Sequence, residues 1–311
     1  MAADAACAPC TAVQTSTPPT GGLGVVAPDD VGPAAMHAAS GVVDVLVDDE
    51  QQATEVAQRY LSYFQGPVPE WSCADQRLLR HAVPENRLRA YDVRALITLL
   101  ADTGSVLELR RSFGLGMVTA LIRIEGRPLG LMANNPQHLG GAIDAAASDR
   151  AARFMRLCNA HGLPVLSLCD TPGFMVGPQA ETTALVRHNA RLFLAAASLQ
   201  VPVFTVVLRK GYGLGAQAMA AGGFHETLFT VAWPTGEFGG MGLEGYVRLG
   251  FRKEMQAIAD PAARQAWYEA KLAGLVEQGK ALSIASVLRR PGQWHPPICG
   301  VAIKAATAIG N

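Results

Sequence analysis

Residues 201–219 read VPVFTVVLRKGYGLGAQAM. The first eight positions are nearly all apolar and rich in valine, the pattern of a strand buried on both faces. Gly211, Gly213 and Gly215 then fall at alternate positions, and Ala-Gln-Ala-Met follows as helix-forming sequence. A strand that feeds a glycine-rich turn into a helix start leaves backbone N–H groups unpaired. They sit at the positive end of the helix dipole, with little side-chain bulk to keep a ligand away. Such a device can hold a phosphate, a dinucleotide or a developing oxyanion.

Outward from this stretch the same grammar repeats. A helix over 182–199 precedes this strand, and a helix over 148–160 precedes a strand over 163–169. A short helix starting near Leu214 precedes a strand over 228–232. Further upstream, 117–124 and 127–133 read as a hairpin turning at Glu125-Gly126. Val93, Leu96, Ile97 and Leu100 share one face of a helix over 92–102, and Ala53, Val56, Leu61 and Phe64 mark another over 49–64. Short apolar strands alternating with helices predict the α/β class, with a buried, mainly parallel sheet.

Four successive strand ends carry Asn134-Asn135-Pro136, Asp170-Thr171-Pro172-Gly173-Phe174, Lys210-Gly211-Tyr212-Gly213 and Trp233-Pro234-Thr235-Gly236, all read here as loops. Gly and Pro also end strands without any function. In a parallel sheet, however, the carboxyl ends share one edge where ligands bind, and four such loops in a row place a shared site there.

Lys plus Arg and Asp plus Glu both number 26, so no basic field draws nucleic acid or an anionic membrane. The expectation is a protein that binds neither. A chain of 311 residues, half of them hydrophobic and 17% charged, suits a well-buried enzyme. Cys7 and Cys10 form a C-A-P-C pair, but no second pair follows to complete a zinc ribbon, so no bound metal is expected. Cys158 and Cys169 lie in apolar runs and read as reduced core residues. The first twenty residues lack a basic start and an apolar run, and no segment offers the roughly 18 apolar residues of a membrane span; a soluble, cytoplasmic protein is expected. Residues 1–40, rich in Ala, Pro, Thr and Gly, read as disordered or as the remnant of a truncated domain, and 66–84 as a Pro-containing linker.

A dinucleotide fingerprint belongs in the first βαβ unit, with an acidic residue about 20 positions on; this turn comes late in the order of elements, and its third position is Ala218, which only the looser pattern permits. The sequence has no G-x-x-x-x-G-K-[ST], no G-x-S-x-G and no H-E-x-x-H. With no side-chain nucleophile or acid–base pair evident, chemistry that relies on held oxyanions is favoured. Asp170 reads as a turn or capping residue, Glu237 as the cap of its loop, and His138 and His188 as structural. Arg209 and Lys210 remain open between anion contacts and solvated charges.

From about residue 91 to 280 the chain resembles the carboxyl-terminal domain of the acyl-CoA carboxylase carboxyltransferase β subunit, the family of propionyl-CoA, acetyl-CoA and methylcrotonyl-CoA carboxylases. The stretches that carry the resemblance are AYDVRALITLLADTGSVLEL, GRPLGLMANNP, DRAARFMRLCNAHGLPVLSLCDTPGFMVG, VPVFTVVLRKGYGLGAQAM and AWPTGEFGGMGLEG, in order. It implies a crotonase-like fold of repeated ββα units and transfer of a carboxyl group from carboxybiotin to the α-carbon of a short acyl-CoA. Biotin arrives on a separate carrier protein, and its freed ureido nitrogen takes the α-proton. Two oxyanion holes stabilise the biotin and acyl enolates. By position, the backbone N–H groups of Leu214 and Gly215 form the biotin hole. Gly213, Ala216, Gln217 and Lys210 are implied as substrate or biotin contacts, as are Asn134, Asn135, Gly173 and Phe174.

The implied partners are a biotin carboxylase or biotin carrier subunit, an amino-terminal carboxyltransferase domain in cis or trans, and further copies of the chain. Many members read Gly-Gly-Ala-Tyr-Asp where this chain has Gly213-Leu214-Gly215-Ala216-Gln217, and Gln217 stands at a position tied to acyl-chain choice. The expected organisation is a remnant over 1–40, a helix and linker over 41–83, the carboxyltransferase carboxyl-terminal domain over 84–286 and a divergent tail over 287–311. Truncation or a frameshift would account for both ends. The alternatives are a stand-alone crotonase-like acyl-CoA decarboxylase or hydrolase, and a truncated non-catalytic subunit.

Overall fold

The computed structural model describes residues 32–287. The Cys7/Cys10 pair and nearly all of the divergent tail lie outside the described residues. Helices α1 (Ala34–Ala39), α2 (Glu50–Ser62) and α3 (Val93–Leu100) precede strand β1 (Leu107–Leu109) and the hairpin β2 (Met117–Ile124) and β3 (Arg127–Asn134). Then follow α4 (Ala145–Ala160), β4 (Val165–Thr171), α5 (Pro178–Thr182), α6 (Leu185–Ala197), β5 (Val203–Tyr212), α7 (Gly213–Met219), β6 (Phe229–Ala232) and β7 (Glu237–Gly239). Helices α8 (Leu243–Gly250), α9 (Arg252–Ala257), α10 (Pro261–Gly279) and α11 (Ala281–Val287) close the described chain.

One seven-stranded sheet runs β1-β2-β3-β4-β5-β6, with β7 also paired to β5. The β1–β2 and β2–β3 pairs are antiparallel, and the other pairs are parallel. The hairpin turns where expected, with Ile124 opposite Arg127 and both Glu125 and Gly126 at positive φ, the geometry a two-residue turn needs to follow the strand twist. The expected ββα unit occurs twice, as β2–β3–α4 and as β6–β7–α8.

Alternation along the strands divides the core. Val165 and Cys169 of β4 join Phe154, Met155 and Cys158 of α4 and Leu192 of α6. Leu166 and Leu168 face the opposite layer, with Val93, Leu96 and Ile97 of α3. Cys158 and Cys169 are free thiols in this core, and burial pushes the Cys158 thiol up to about 12. Among the described residues no helix is long and apolar enough to cross a membrane.

Several expectations change. Residues 34–39, read as disordered or remnant, form α1. The linker contains a 3-10 turn, Gln76–His81, and Cys73 bridges to Asp102. The helix expected over 182–199 runs only over Leu185–Ala197; Thr182 ends a separate short helix that begins at Pro178, and Ala184 between them has a left-handed φ of 55°. Strands β4 and β5 run on through Asp170-Thr171 and Lys210–Tyr212, stretches read as loops: β7 supplies β5 with a parallel partner beyond the end of β6, and the extended β5 in turn pairs Gly211 with Thr171 of β4.

Charge is buried where α4 meets the hairpin. The fully buried Arg150 gives Nη2 to Glu108 at 3.1 Å and to the Leu109 carbonyl at 2.6 Å, and Arg94 adds bonds of 2.8 and 2.7 Å to Glu108. Burial alone would raise the Glu108 pKa, but the hydrogen bonds and charges of Arg94 and Arg150 win and hold it below its usual 4.5. A carboxylate with a depressed folded pKa stabilises the fold above its unfolded pKa and loses that contribution as pH falls through the folded value. Glu108→Gln is therefore expected to cost about 3 kcal/mol at neutral pH, because Arg150 is left buried without a counter-charge. Urea unfolding should show this gap narrowing as pH drops below about 4.

Candidate active site

Three segments converge at the carboxyl edge of the sheet. The first is the end of β5 and its turn into α7. Gly213 has φ +58, and a Cβ there would stand 2.8 Å from the Gly240 carbonyl oxygen. A Cβ on Gly215 would come within 2.7 Å of the Gly173 backbone and 3.0 Å of Phe174 N. Glycine at these positions lets α7 lie directly on the second segment, 173–174. That segment is stitched to the third: Ile143 N donates to Gly173 O at 3.0 Å, and Met175 N to Ile143 O at 2.9 Å. Thr171 Oγ1 accepts from Gly173 N at 3.1 Å and fixes the bend.

Leu214 and Gly215 are the second and third residues of α7, so no carbonyl within the helix accepts from their N–H groups. The turn and cap hydrogen bonds of the described residues take neither. Leu214 is 62% exposed, so the turn opens on the surface, while Gly215 and Ala216 are buried and Gln217 is exposed.

Beneath the turn lies a buried ionic network. Asp170 is fully buried, not a surface turn residue or helix cap as the sequence suggested. The loop it was expected to occupy is strand, and its carboxylate is enclosed by β5. Asp170 Oδ2 accepts from Arg209 Nε at 2.9 Å and Oδ1 from Lys210 N at 3.1 Å. Arg209, itself buried, also donates to the carbonyls of Asn86 and Arg89 at 3.2 and 2.6 Å and lies 4.7 Å over the Tyr91 ring. The question left open for Arg209 resolves to a carboxylate contact within the protein.

Lys210 spends its ammonium on Gly140 O at 2.5 Å and lies 3.8 Å from Asp170; burial lowers its pKa, and Asp170 only partly opposes that shift. Asn134 accepts from Asp170 N at 3.1 Å, while its buried Nδ2 has no hydrogen-bond partner. Asn135 is turned to its own loop, bonding Leu115 O and Gln137 N, and does not reach the turn.

A second latch had no sequence signal. Tyr212 donates to Glu237 at 2.6 Å, and Arg87, in the segment before α3, reaches Glu237, Glu244 and Tyr212 at 3.2, 2.6 and 3.2 Å. Glu237 is thus a buried acceptor rather than a loop cap. Burial, then the Glu237 contact, pushes the Tyr212 phenol above its usual 10, so it stays a donor. Arg87 lies 150 residues from Glu237 in sequence, which no local pattern could reveal. His138 and His188 pair with Asp144 and Asp149 at 3.5 and 2.7 Å, on α4 and its N-cap. The fourth loop supports β5, with Thr235 Oγ1 donating to Leu208 O at 2.7 Å.

The Carboxyl transferase domain family matches residues 12–285. The methylmalonyl-CoA carboxyltransferase 12S subunit of Propionibacterium freudenreichii subsp. shermanii is 36% identical over 250 residues, covering 78% of this chain and 48% of that protein. The propionyl-CoA carboxylase carboxyltransferase subunit of Haloferax mediterranei is 34% identical over 249 residues, covering 76% and 48%. The chain thus spans about half the length of the curated relatives it matches. Among solved structures, a single-chain, multi-domain long-chain acyl-CoA carboxylase superposes with a TM-score of 0.80 at 55% identity, over 86% of this chain and 26% of that one. The hexameric transcarboxylase 12S superposes with a TM-score of 0.75 at 32% identity, over 92% and 56%.

Proposed function

The chain belongs to the carboxyl transferase domain family, and from that membership we propose that it serves as the carboxyltransferase component of an acyl-CoA carboxylase, moving a carboxyl group from carboxybiotin to the α-carbon of a short acyl-CoA. The fold is the crotonase-like fold of the carboxyltransferases it superposes on. The observation that carries the proposal is the turn at 213–215, where two consecutive N–H groups have no helical acceptor and the helix is pressed onto Gly173–Phe174.

Those residues fit biotin: its ureido carbonyl is an acceptor for two converging donors, and Phe174 offers an apolar ring beside them. Biotin, when bound, supplies the activated carboxyl group. The N–H groups of Leu214 and Gly215 hold the carbonyl oxygen and stabilise the charge that gathers there as the carboxyl group leaves. Because both donors are backbone groups of a packed turn, little reorganisation opposes that stabilisation. Lys210 acts at one remove, holding the Gly140 carbonyl and with it the segment that stitches Gly173. Gln217, exposed on the same helix, bears on the choice of acyl chain.

The second oxyanion hole, for the acyl enolate, comes from an amino-terminal carboxyltransferase domain in cis or trans, and a biotin carboxylase or carrier subunit delivers biotin. The chain works within an oligomer of such subunits. Exposed Val176, Val186, Leu194 and Leu214 support a covering surface over this edge.

The test is transfer of labelled carboxyl from carboxybiotin to propionyl-CoA by the chain combined with an amino-terminal partner domain. Acid-stable label in the acyl-CoA is the expected result. Absence of label across a panel of short acyl-CoAs, with the partner domain present and folded, would overturn the proposal.

A further inference from the structure

Away from the glycine turn, a cavity of about 590 Å³ lies between residues 40–42, the segment after β1, and helices α4 and α6. Five arginines line it, Arg110, Arg150, Arg153, Arg156 and Arg191, against one lining acidic residue, Asp149. None of its lining residues belongs to the turn at 213–215 or its supports.

The sequence creates the imbalance. Arginines at 150, 153 and 156 recur every three residues along α4, so neighbours on that face are like charges about 5–6 Å apart at Cβ, a mildly unfavourable arrangement. Asp149 is already divided between His188 at 2.7 Å and Arg191 at 3.3 Å. Arg150 is satisfied by Glu108 and by carbonyls within the core. Arg153 and Arg156 are exposed and have no ion pair among the described residues.

Arg110 is the unusual member. Its side chain is 6% exposed, its backbone is left-handed at φ 55°, and its one ion-pair partner, Asp44, has a side chain 45% exposed. A bulky residue in that backbone region carries strain, which proteins retain where a position serves a purpose. Burial, reinforced by the charge of Arg153, lowers the Arg110 pKa despite Asp44. Even if Asp44 and Glu108 are counted in full, two guanidinium charges of the cavity remain uncompensated.

We propose that this cavity binds a small anion carrying two phosphate groups, held by Arg153, Arg156 and Arg191, while Arg110, whose Nε donates to Gly41 O at 3.0 Å, adds charge from behind them. The guanidinium fork matches phosphate oxygens in pairs. Two arginines one helical turn apart present two such forks at a separation that linked phosphates bridge. A phosphate carries more charge per group than a carboxylate, which suits a compact cavity with a concentrated excess. The cavity volume falls within the range of small-molecule sites. The proposal is independent of the carboxyl-transfer reading, because its test needs no turnover.

The experiment is isothermal titration of the full chain with pyrophosphate at low ionic strength. One saturable site with a Kd of about 10–100 µM is expected, weakening as salt rises. The Arg153→Gln/Arg156→Gln double variant, altered only at exposed side chains, should weaken binding by at least about tenfold. Arg252→Gln, an exposed arginine of α9 outside the cavity, should leave binding unchanged. Competition by adenosine 3′,5′-bisphosphate and by coenzyme A would assign the phosphates to a nucleotide; competition by neither would assign them to a free polyphosphate. Both outcomes support the site. Lack of saturation, an undiminished affinity in the double variant, or binding only of a glutamate-rich peptide would each overturn it.

Discussion

Leu214→Pro is expected to slow carboxyl transfer by about 10²–10³-fold, while Leu214→Ala stays within a few-fold of the unaltered chain. Proline deletes the N–H that the proposed oxyanion contact uses, at a first-turn helix position where no intrahelical hydrogen bond is lost. Alanine keeps that N–H and removes only a side chain that is largely exposed. Their contrast isolates the backbone donor from the side chain. Gly215 cannot serve for this purpose, because any Cβ there would stand 2.7 Å from the Gly173 backbone and would shift the whole junction. Initial rates on propionyl-CoA, with the amino-terminal partner domain present and carboxybiotin saturating, would check the pair. Equal losses in both variants would point to the Leu214 side chain instead.

Asp170→Asn is expected to cost about 3–5 kcal/mol of folding stability. The neutral side chain would leave Arg209 buried with no counter-charge and remove the ionised acceptor of Lys210 N. Against a typical domain stability of about 5–15 kcal/mol, that is a large share. Replacing both partners, Asp170→Leu with Arg209→Met, should recover part of the loss, since two charges then leave the core together. Recovery stays incomplete because Arg209 also holds the carbonyls of Asn86 and Arg89. Denaturant midpoints of the three variants measure this directly, and a wild-type midpoint for Asp170→Asn would refute a structural role for the pair.

The parts of the fold legible in the sequence were those with local causes. Glu125-Gly126 between two apolar runs marked the hairpin to the residue, because a two-residue turn dictates its own pairing. The three glycines at 211, 213 and 215, one at the end of β5 and two in the first turn of α7, marked the junction. Short strands such as β1 and β7 escaped because three residues hold no periodicity; they exist only through β2 and β5. The break at Ala184 escaped because alanine carries no signal for a left-handed backbone. Asp170 was misread because its residue type and the following Thr-Pro-Gly suit a turn, while its burial depends on a pairing with Arg209, 39 residues away. At the site, residue chemistry alone pointed to a glycine turn with unpaired backbone N–H groups, suited to an anion but without choosing one, and the family resemblance implied biotin. The latch of Arg87, Tyr212 and Glu237 depends on tertiary contacts that no local pattern encodes.

The claim that the turn holds the biotin carbonyl is tested most directly by amide NMR of the chain with ¹⁵N-labelled leucine and glycine. Titration with biotin should move the Leu214 and Gly215 amide protons downfield, the shift expected of a new hydrogen bond to a carbonyl oxygen, while glycines remote from the site, such as Gly162 and Gly274, stay in place. Unmoved Leu214 and Gly215 resonances at biotin concentrations that shift other residues would contradict it.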